Sequence, residues 1–462
     1  MVFKDVFGRF VADSPISVMS RVAMESIFSP AKIDAVFKRA AVRQYTRELL
    51  FSTVVDMMSL VVCRVQASMH QAYLKRQVEV AVSVKALYDK LNHLELPVSR
   101  ELVRYSARQG EILIRHMGGT RKRLLKRRRV LVLDGNHLTG TDHRLKVLRE
   151  TGAGALPGQT LVLLDPELML MVDVFPCEDG HAQERSFLPD VLQSISPDNV
   201  VIADRNFCTT QFLFGIHRKK ACYLIRQHSR NLYLRKVGRR RYIGRTATGR
   251  VYEQAVILTD PETGEEQRAR RITVKLKKAT RDGDTEIHLI TNLPANEVDA
   301  IEIANLYLRR WTLETAFQEV TTHLKCELNT LGYPKAALFA FCVAVSCYNT
   351  LAVIKGALCS VHGEAKLKAD ISNYQMAQEI SGVYRGMMIA IPPPEWELFQ
   401  TMSVPKLSKI LLQLARHVRL EELQKFPRAP KKPTKKKKPA KGQHVSTAKL
   451  LAAARQKPKK PT

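Results

Sequence analysis

The chain has 462 residues, 45% hydrophobic and 26% charged, with 74 Lys and Arg against 44 Asp and Glu and a formal net charge of +30. That length allows two or three domains and at least one sizeable core, and so large a positive excess points to a polyanionic partner ahead of a membrane surface. The eight cysteines are scattered without a CxxC pair, which argues against a disulfide framework and suits reduced core residues in a cytoplasm.

The opening MVFKDVFGRFVADSP interrupts its apolar residues with charge too often for a signal peptide. Up to about residue 125, apolar residues recur at helical spacing, as in SPAKIDAVFKRAAV and SVKALYDKLNHL, with Ser29 and Ser83 as expected N-caps. This helical region ends in RKRLLKRRR at 121–129, readable as a phosphate-contacting edge or as a solvated linker.

From Val130 the runs VLVLD, TLVLLD and LMLMVDVF read as successive strands. A helix follows from about Glu184, then the strand VVIAD, a crossover helix in FLFGIHRKK and the strand ACYLIR. This pattern predicts an α/β fold, a mixed sheet flanked by helices. The glycine-rich GAGALPG at 152–158 lacks the Gly-Lys-Ser/Thr ending of a phosphate loop and reads as a flexible loop. About 231–288 is a strand-rich insertion, followed by IHLITNLP and by helices from near Asn296 to about Leu423. The most apolar stretch, Ala336 to Ile354, contains Ser, Asn and many Ala residues and suits a buried helix better than a membrane span. The segment from Lys425 to Thr462 carries about fourteen Lys and Arg, is interrupted by proline, and is expected to be disordered over 426–462.

Chemistry is sought where strands end on acids. Asp134 closes VLVLD and Asp204 closes VVIAD, each readable as a turn residue or as a ligand. If the two strands are neighbours, the two acids lie side by side. In LYLRRWTLETAFQEV, the residues Tyr307, Arg310 and Glu314 share one helical stripe. Leu306, Leu313, Phe317, Val320 and Leu324 form the adjacent apolar stripe that would pack on the sheet. Three carboxylates converging in a basic protein suit magnesium-assisted phosphodiester chemistry, whereas an Arg and Glu at this spacing also form ordinary helix-surface pairs. Asp142, Asp165 and Asp173 are rival acids that read as turn or edge residues, and His181 reads as part of a helix-entry loop.

VLVLDG, VVIADRNFCT and YLRRWTLETAFQEV together resemble the signature blocks of bacterial DDE transposases of the insertion-sequence-4 family, over roughly 126–350. The resemblance implies an RNase H-like catalytic domain at 126–350 with the β-rich insertion inside it. Outside that span, the apolar spacing predicts a helical N-terminal domain at 1–125, a candidate for binding DNA ends, and a helical C-terminal region at 351–425. By the resemblance, Asp134, Asp204 and Glu314 become the metal-binding triad for Mg²⁺, with Mn²⁺ as a substitute; Tyr307, Arg310 and Arg205 become DNA contacts. The family motif carries a Lys seven residues after its Glu, where this chain has Thr321. Lys325, one turn further on nearly the same face, either serves a related phosphate or is a surface lysine.

Some relatives stack a flipped base on a Trp in the insertion, but Trp311 and Trp396 both lie outside it; Tyr233, Tyr242 and Tyr252 are available there, each with a core or cross-strand role as the alternative. The implied activity is cleavage at mobile-element ends and strand transfer into target DNA by a homodimer in a synaptic complex, without a membrane, in the cytoplasm at the nucleoid. The alternatives are a magnesium-dependent nuclease without strand transfer and an inactive DNA-binding relative.

Overall fold

A computed structural model describes residues 5–44, 48–77, 80–228, 232–280, 283–425 and 444–456. The β-branched runs form the strands β1 (Arg129–His137), β2 (Gln159–Asp165), β3 (Leu170–Cys177), β4 (Asn199–Ala203) and β5 (Cys222–Arg226). The segment read as an insertion supplies β6 (Tyr233–Arg245), β7 (Gly249–Thr259) and β8 (Glu266–Leu276), and β9 (Glu286–Thr291) follows. All nine join one sheet in the order β3-β2-β1-β4-β5-β9-β8-β7-β6. β1 pairs antiparallel with β2 and parallel with β4, and β4 pairs parallel with β5. The first five strands therefore have the RNase H-like arrangement, and the inserted strands extend that sheet through β9, antiparallel to β5.

Alternation along β1 shows why both faces are covered. Val130 and Val132 enter one apolar cluster and Leu131 and Leu133 the other, with β4 dividing in the same way. One face carries the helices Leu188–Gln193 and Thr210–Arg218. The other carries Leu96–His116 and the 29-residue helix Pro334–His362, against which Pro15–Ile27, Phe51–Val62 and Val404–His417 also pack.

The expected boundaries at 125 and 350 thus do not separate independent cores. One apolar cluster runs from Phe7 to Leu423, and position 350 falls inside an unbroken helix. Ser83 is an N-cap whose hydroxyl accepts from Ala86 N–H, whereas Ser29 holds the cap position without a side-chain bond.

The apolar run becomes a core helix. Pro334–His362 is long and apolar enough to cross a membrane, yet 94% of its most apolar window is buried in the protein. The polar residue within it has a specific task. Asn349 accepts from Met171 N–H at 2.9 Å and donates to Met171 C=O at 3.0 Å and to Ser106 Oγ at 3.1 Å, satisfying backbone on the sheet's edge strand.

Two expectations are corrected. His444–Ser446 pairs in parallel with Gly154–Leu156 and is followed by the helix Thr447–Gln456, so the expected disorder does not extend through 444–456 and the GAGALPG segment is part strand. HVSTAKLLAAARQ has no proline and is rich in Ala and Leu, which suffices for a helix once a strand anchors it. Residues 426–443 and 457–462 lie outside the described ones.

Replacing Asn349 with Leu leaves the Met171 N–H and C=O unpaired in the core. A loss of about 3 kcal/mol is expected, read as a lower urea midpoint with an unchanged slope.

Candidate active site

The parallel register of β1 and β4 sets Leu133 opposite Ala203, so the next residues, Asp134 and Asp204, stand side by side; Asp204 follows the end of β4, whereas β1 runs on past Asp134 to His137, held by β2, and the aspartate does not close its strand as expected. Asp134 is held by Gly135 N–H, which donates to its Oδ1 at 2.9 Å. Asp204 occupies the N-cap position of the 3₁₀ turn Arg205–Phe207, yet its side chain makes no capping bond. A turn role therefore does not account for this carboxylate.

The third acid arrives on a broken helix. Ala300–Tyr307 is followed by a 3₁₀ turn at Leu308–Arg310 and then by Trp311–His323, in place of the single helix expected. Leu306, Leu313 and Ala316 are buried and fix the rotation of both pieces. Tyr307, Arg310 and Glu314 then face the two aspartates. Arg310 forks between acids, its Nη1 on Asp134 Oδ2 at 3.1 Å and its Nη2 on Glu314 Oε1 at 2.8 Å.

Burial pushes Asp134 up to about 6; the Gly135 N–H and Arg310 oppose this, and the neighbouring Asp204 and Glu314 add to it. Burial alone would lower Arg310, but Tyr307 and the three carboxylates hold it above its ordinary value. Tyr307 is 8% exposed, and its hydroxyl has no hydrogen-bond partner among the described residues. Burial, then the charge of Asp204, pushes that phenol well up. The tyrosine ring is therefore not available for stacking on DNA.

The other expected residues separate. Arg205 is exposed beside Asp204, with its charge reaching Asp284. Lys325 is corrected: the helix stops at His323, Lys325 N–H donates to Val62 C=O at 2.7 Å, and its Nζ donates to Ala67 C=O at 2.9 Å. Its helical-face argument fails because it is no longer on the helix. The side chains of Val320 and Thr321 lie outside the described residues.

The rival acids are structural. Asp165 and Asp173 are buried against Arg129 and Arg100 respectively, and Asp142 pairs with Arg144. His181 is exposed, its N–H on Asp179. Tyr242 and Tyr252 are cross-strand partners with ring centroids 5.5 Å apart, and Tyr233 is exposed.

Sequence reasoning missed a clamp on the Asp204 turn. Asn206 donates its Nδ2–H to Glu184 Oε2 while its C=O accepts from Arg185 Nε at 2.8 Å. The other Glu184 oxygen lies over Gly135, where a Cβ would collide with it. Glu184 and Arg185 thus fix the backbone on both sides of the aspartate pair. The one sequence hint is the glycine directly after Asp134, where a strand residue without a side chain marks close approach.

Three carboxylates, with Asp134 raised by burial and further by the two neighbouring acids, are the kind of hard-oxygen donors that a divalent cation prefers. Among the described residues no three His, Cys, Asp or Glu side chains are close enough to ligate one ion, and Arg310 bridges Asp134 and Glu314. The donors fit in chemistry, and the arginine stands in the cation's place.

Residues 125–350 match the family model described as the transposase DDE domain. A protein of Synechocystis sp. assigned as the transposase for insertion sequence element IS4SA is 21% identical over 151 residues. That match spans 32% of this chain and 38% of the relative, so less than half of the relative's length is represented. A structure of the piggyBac transposase synaptic complex with hairpin DNA is similar at 12% identity with a TM-score of 0.40, covering 82% of each chain.

Asp134 at about 6 in the fold against an ordinary 3.8 makes its ionisation unfavourable to folding, a contribution absent below pH 4 and complete above pH 6. Asp134→Asn should therefore gain about 3 kcal/mol relative to the parent between pH 4 and pH 7 without divalent ions, seen as a rising difference in melting midpoint. Glu184→Ala should weaken divalent-ion affinity about 10–100-fold by titration calorimetry, with little change in melting. Gly135→Ala should do the same, and removing Glu184 as well should add little to it.

Proposed function

Because residues 125–350 carry a DDE transposase domain of the insertion-sequence-4 type, we propose that the chain cuts DNA at the ends of a mobile element and joins the freed ends to target DNA. The observation that supports this reading best is the convergence of Asp134, Asp204 and Glu314 on one sheet edge with Arg310 between two of them.

In the first step water attacks the phosphodiester at the element end, the bond from phosphorus to the 3′-oxygen breaks, and that oxygen leaves as a 3′-hydroxyl after gaining a proton. In the second, the 3′-hydroxyl attacks a target phosphodiester: a new P–O bond forms, and the target strand's own 3′-oxygen leaves. Asp134, Asp204 and Glu314 would hold Mg²⁺, or Mn²⁺ in its place. When bound, the metal supplies Lewis-acid charge stabilisation and a more acidic attacking hydroxyl.

The chain's own residues do the positioning. Arg310 neutralises the acids in the metal-free protein, and its fork is free to take a phosphate once a cation replaces it. The unpartnered Tyr307 hydroxyl donates to a phosphate oxygen or to the attacking water. Arg205, exposed beside Asp204, contacts the backbone of the same strand. The net charge of +30 suits a DNA partner, and pairing two element ends calls for at least two copies of the chain.

A cleavage and joining assay on DNA bearing the ends of the encoding element tests the reading. The parent with Mg²⁺ should give joined products, and Asp204→Ala and Glu314→Ala should each lower cleavage by about 10³-fold or more while DNA binding persists. Cleavage without joining would replace transposition with nuclease activity. Binding without cleavage by the parent would mark an inactive relative.

A further inference from the structure

The basic run at 121–129 is only partly explained by folding. Arg128 pairs with Glu297, and Arg129 with Glu111 and Asp165. Arg121, Lys122, Arg123 and Lys126 instead line a groove beside the helix that carries Glu314. This groove, of about 480 Å³, continues into one of about 710 Å³; the two share Arg121, Arg309, Thr312 and Glu364.

Among the described residues, the joint lining has seven Lys and Arg side chains against three carboxylates. Two of those acids are engaged with the strap's main chain. Glu364 accepts from Lys122 N–H at 3.0 Å, and Glu167 accepts from Leu124 N–H at 2.9 Å. The Glu167 C=O also accepts from Arg121 N–H at 3.0 Å. Leu125 is buried, pinning the strap from beneath, while Lys122, Arg123 and Lys126 are exposed. The acids thus hold the strap's backbone in place and leave its cationic side chains outward, an arrangement that folding alone does not require.

The facing wall comes from the broken helix. Arg310 turns to the catalytic acids, whereas its neighbour Arg309 is exposed and lines both grooves. Trp311 lies beside it with 52% of its surface exposed, nearly one helical turn before Glu314. Cations on two walls, with an exposed aromatic ring beside Arg309 on one of them, form a track for a phosphate backbone.

We propose that this groove is a second DNA-contacting surface, which holds the duplex backbone as it leaves the catalytic acids. This rests on the proposed function, but its electrostatic footprint is separable from catalysis. The test uses the full-length parent and the variant Arg121→Gln/Lys122→Gln/Lys126→Gln/Arg309→Gln, binding an element-end duplex over a range of salt concentrations. Each lost phosphate contact should lower the slope of log affinity against log salt by about 0.9, so the variant's slope should fall by about 3 to 4. Circular dichroism should show the same fold.

Tryptophan emission gives a second readout, because Trp396 is fully buried and Trp311 is the exposed one. DNA should change the parent's emission, and Trp311→Phe should abolish that change. An unchanged slope in the folded variant, or DNA binding that leaves the emission of Trp311 untouched, would overturn the groove while leaving cleavage by the triad standing. A lowered slope in the variant, with a parent that binds DNA but does not cleave it, would support the groove and overturn the proposed catalysis.

Discussion

An aspartate within one strand and an aspartate just past the end of its parallel neighbour cannot come into register without bringing two negative charges together. That constraint organises the rest of the site. The register of β1 and β4 is set by apolar side chains facing two covered cores, and Asp134 and Asp204 are carried along by it. Asp134 is raised chiefly by burial and further by Asp204 and Glu314, and Arg310 offsets part of this with a fork between Asp134 and Glu314. The charges are thus only partly balanced, while the backbone that carries them is braced by Glu184 and Arg185.

Rigidity comes from groups that never touch the reacting atoms. Glu184 and Arg185 grip both sides of Asn206, and Glu184 also closes over Gly135, so one short 3₁₀ segment braces the two strand ends. On the far side, Asn349 carries the edge strand's backbone. The helices before and after the domain share its apolar cluster. Residues 125–350, matched as one domain, thus share their apolar cluster with the helices on either side.

Much of this was legible in the sequence. β-branched runs ending on acids gave both aspartates their places, and the three- and four-residue spacing of Tyr307, Arg310 and Glu314 was enough to gather them despite the break at Leu308–Arg310. What escaped was tertiary. No Gly or Pro marks the end of the last helix at His323; it ends where Lys325 N–H meets Val62 C=O, a contact across more than two hundred and fifty positions. Glu184 lies on a turn too short to show any period. The burial of Tyr307 follows from its neighbours, since a tyrosine at that spacing reads equally as a surface ring. The strand at His444–Ser446 was hidden by the lysines before it, whose composition dominates any window that contains both.

That late strand has a consequence for the segment it joins. His444–Ser446 pairs with Gly154–Leu156 across about 290 positions, and Ala155 is also bridged by Thr141 on its other side. The backbone groups of a three-residue strand are thereby satisfied from two directions, one of them supplied by a part of the chain that is far away in sequence. Contacts of such separation are the last that a folding chain can close, so the order of Gly154–Leu156 is expected to arrive late.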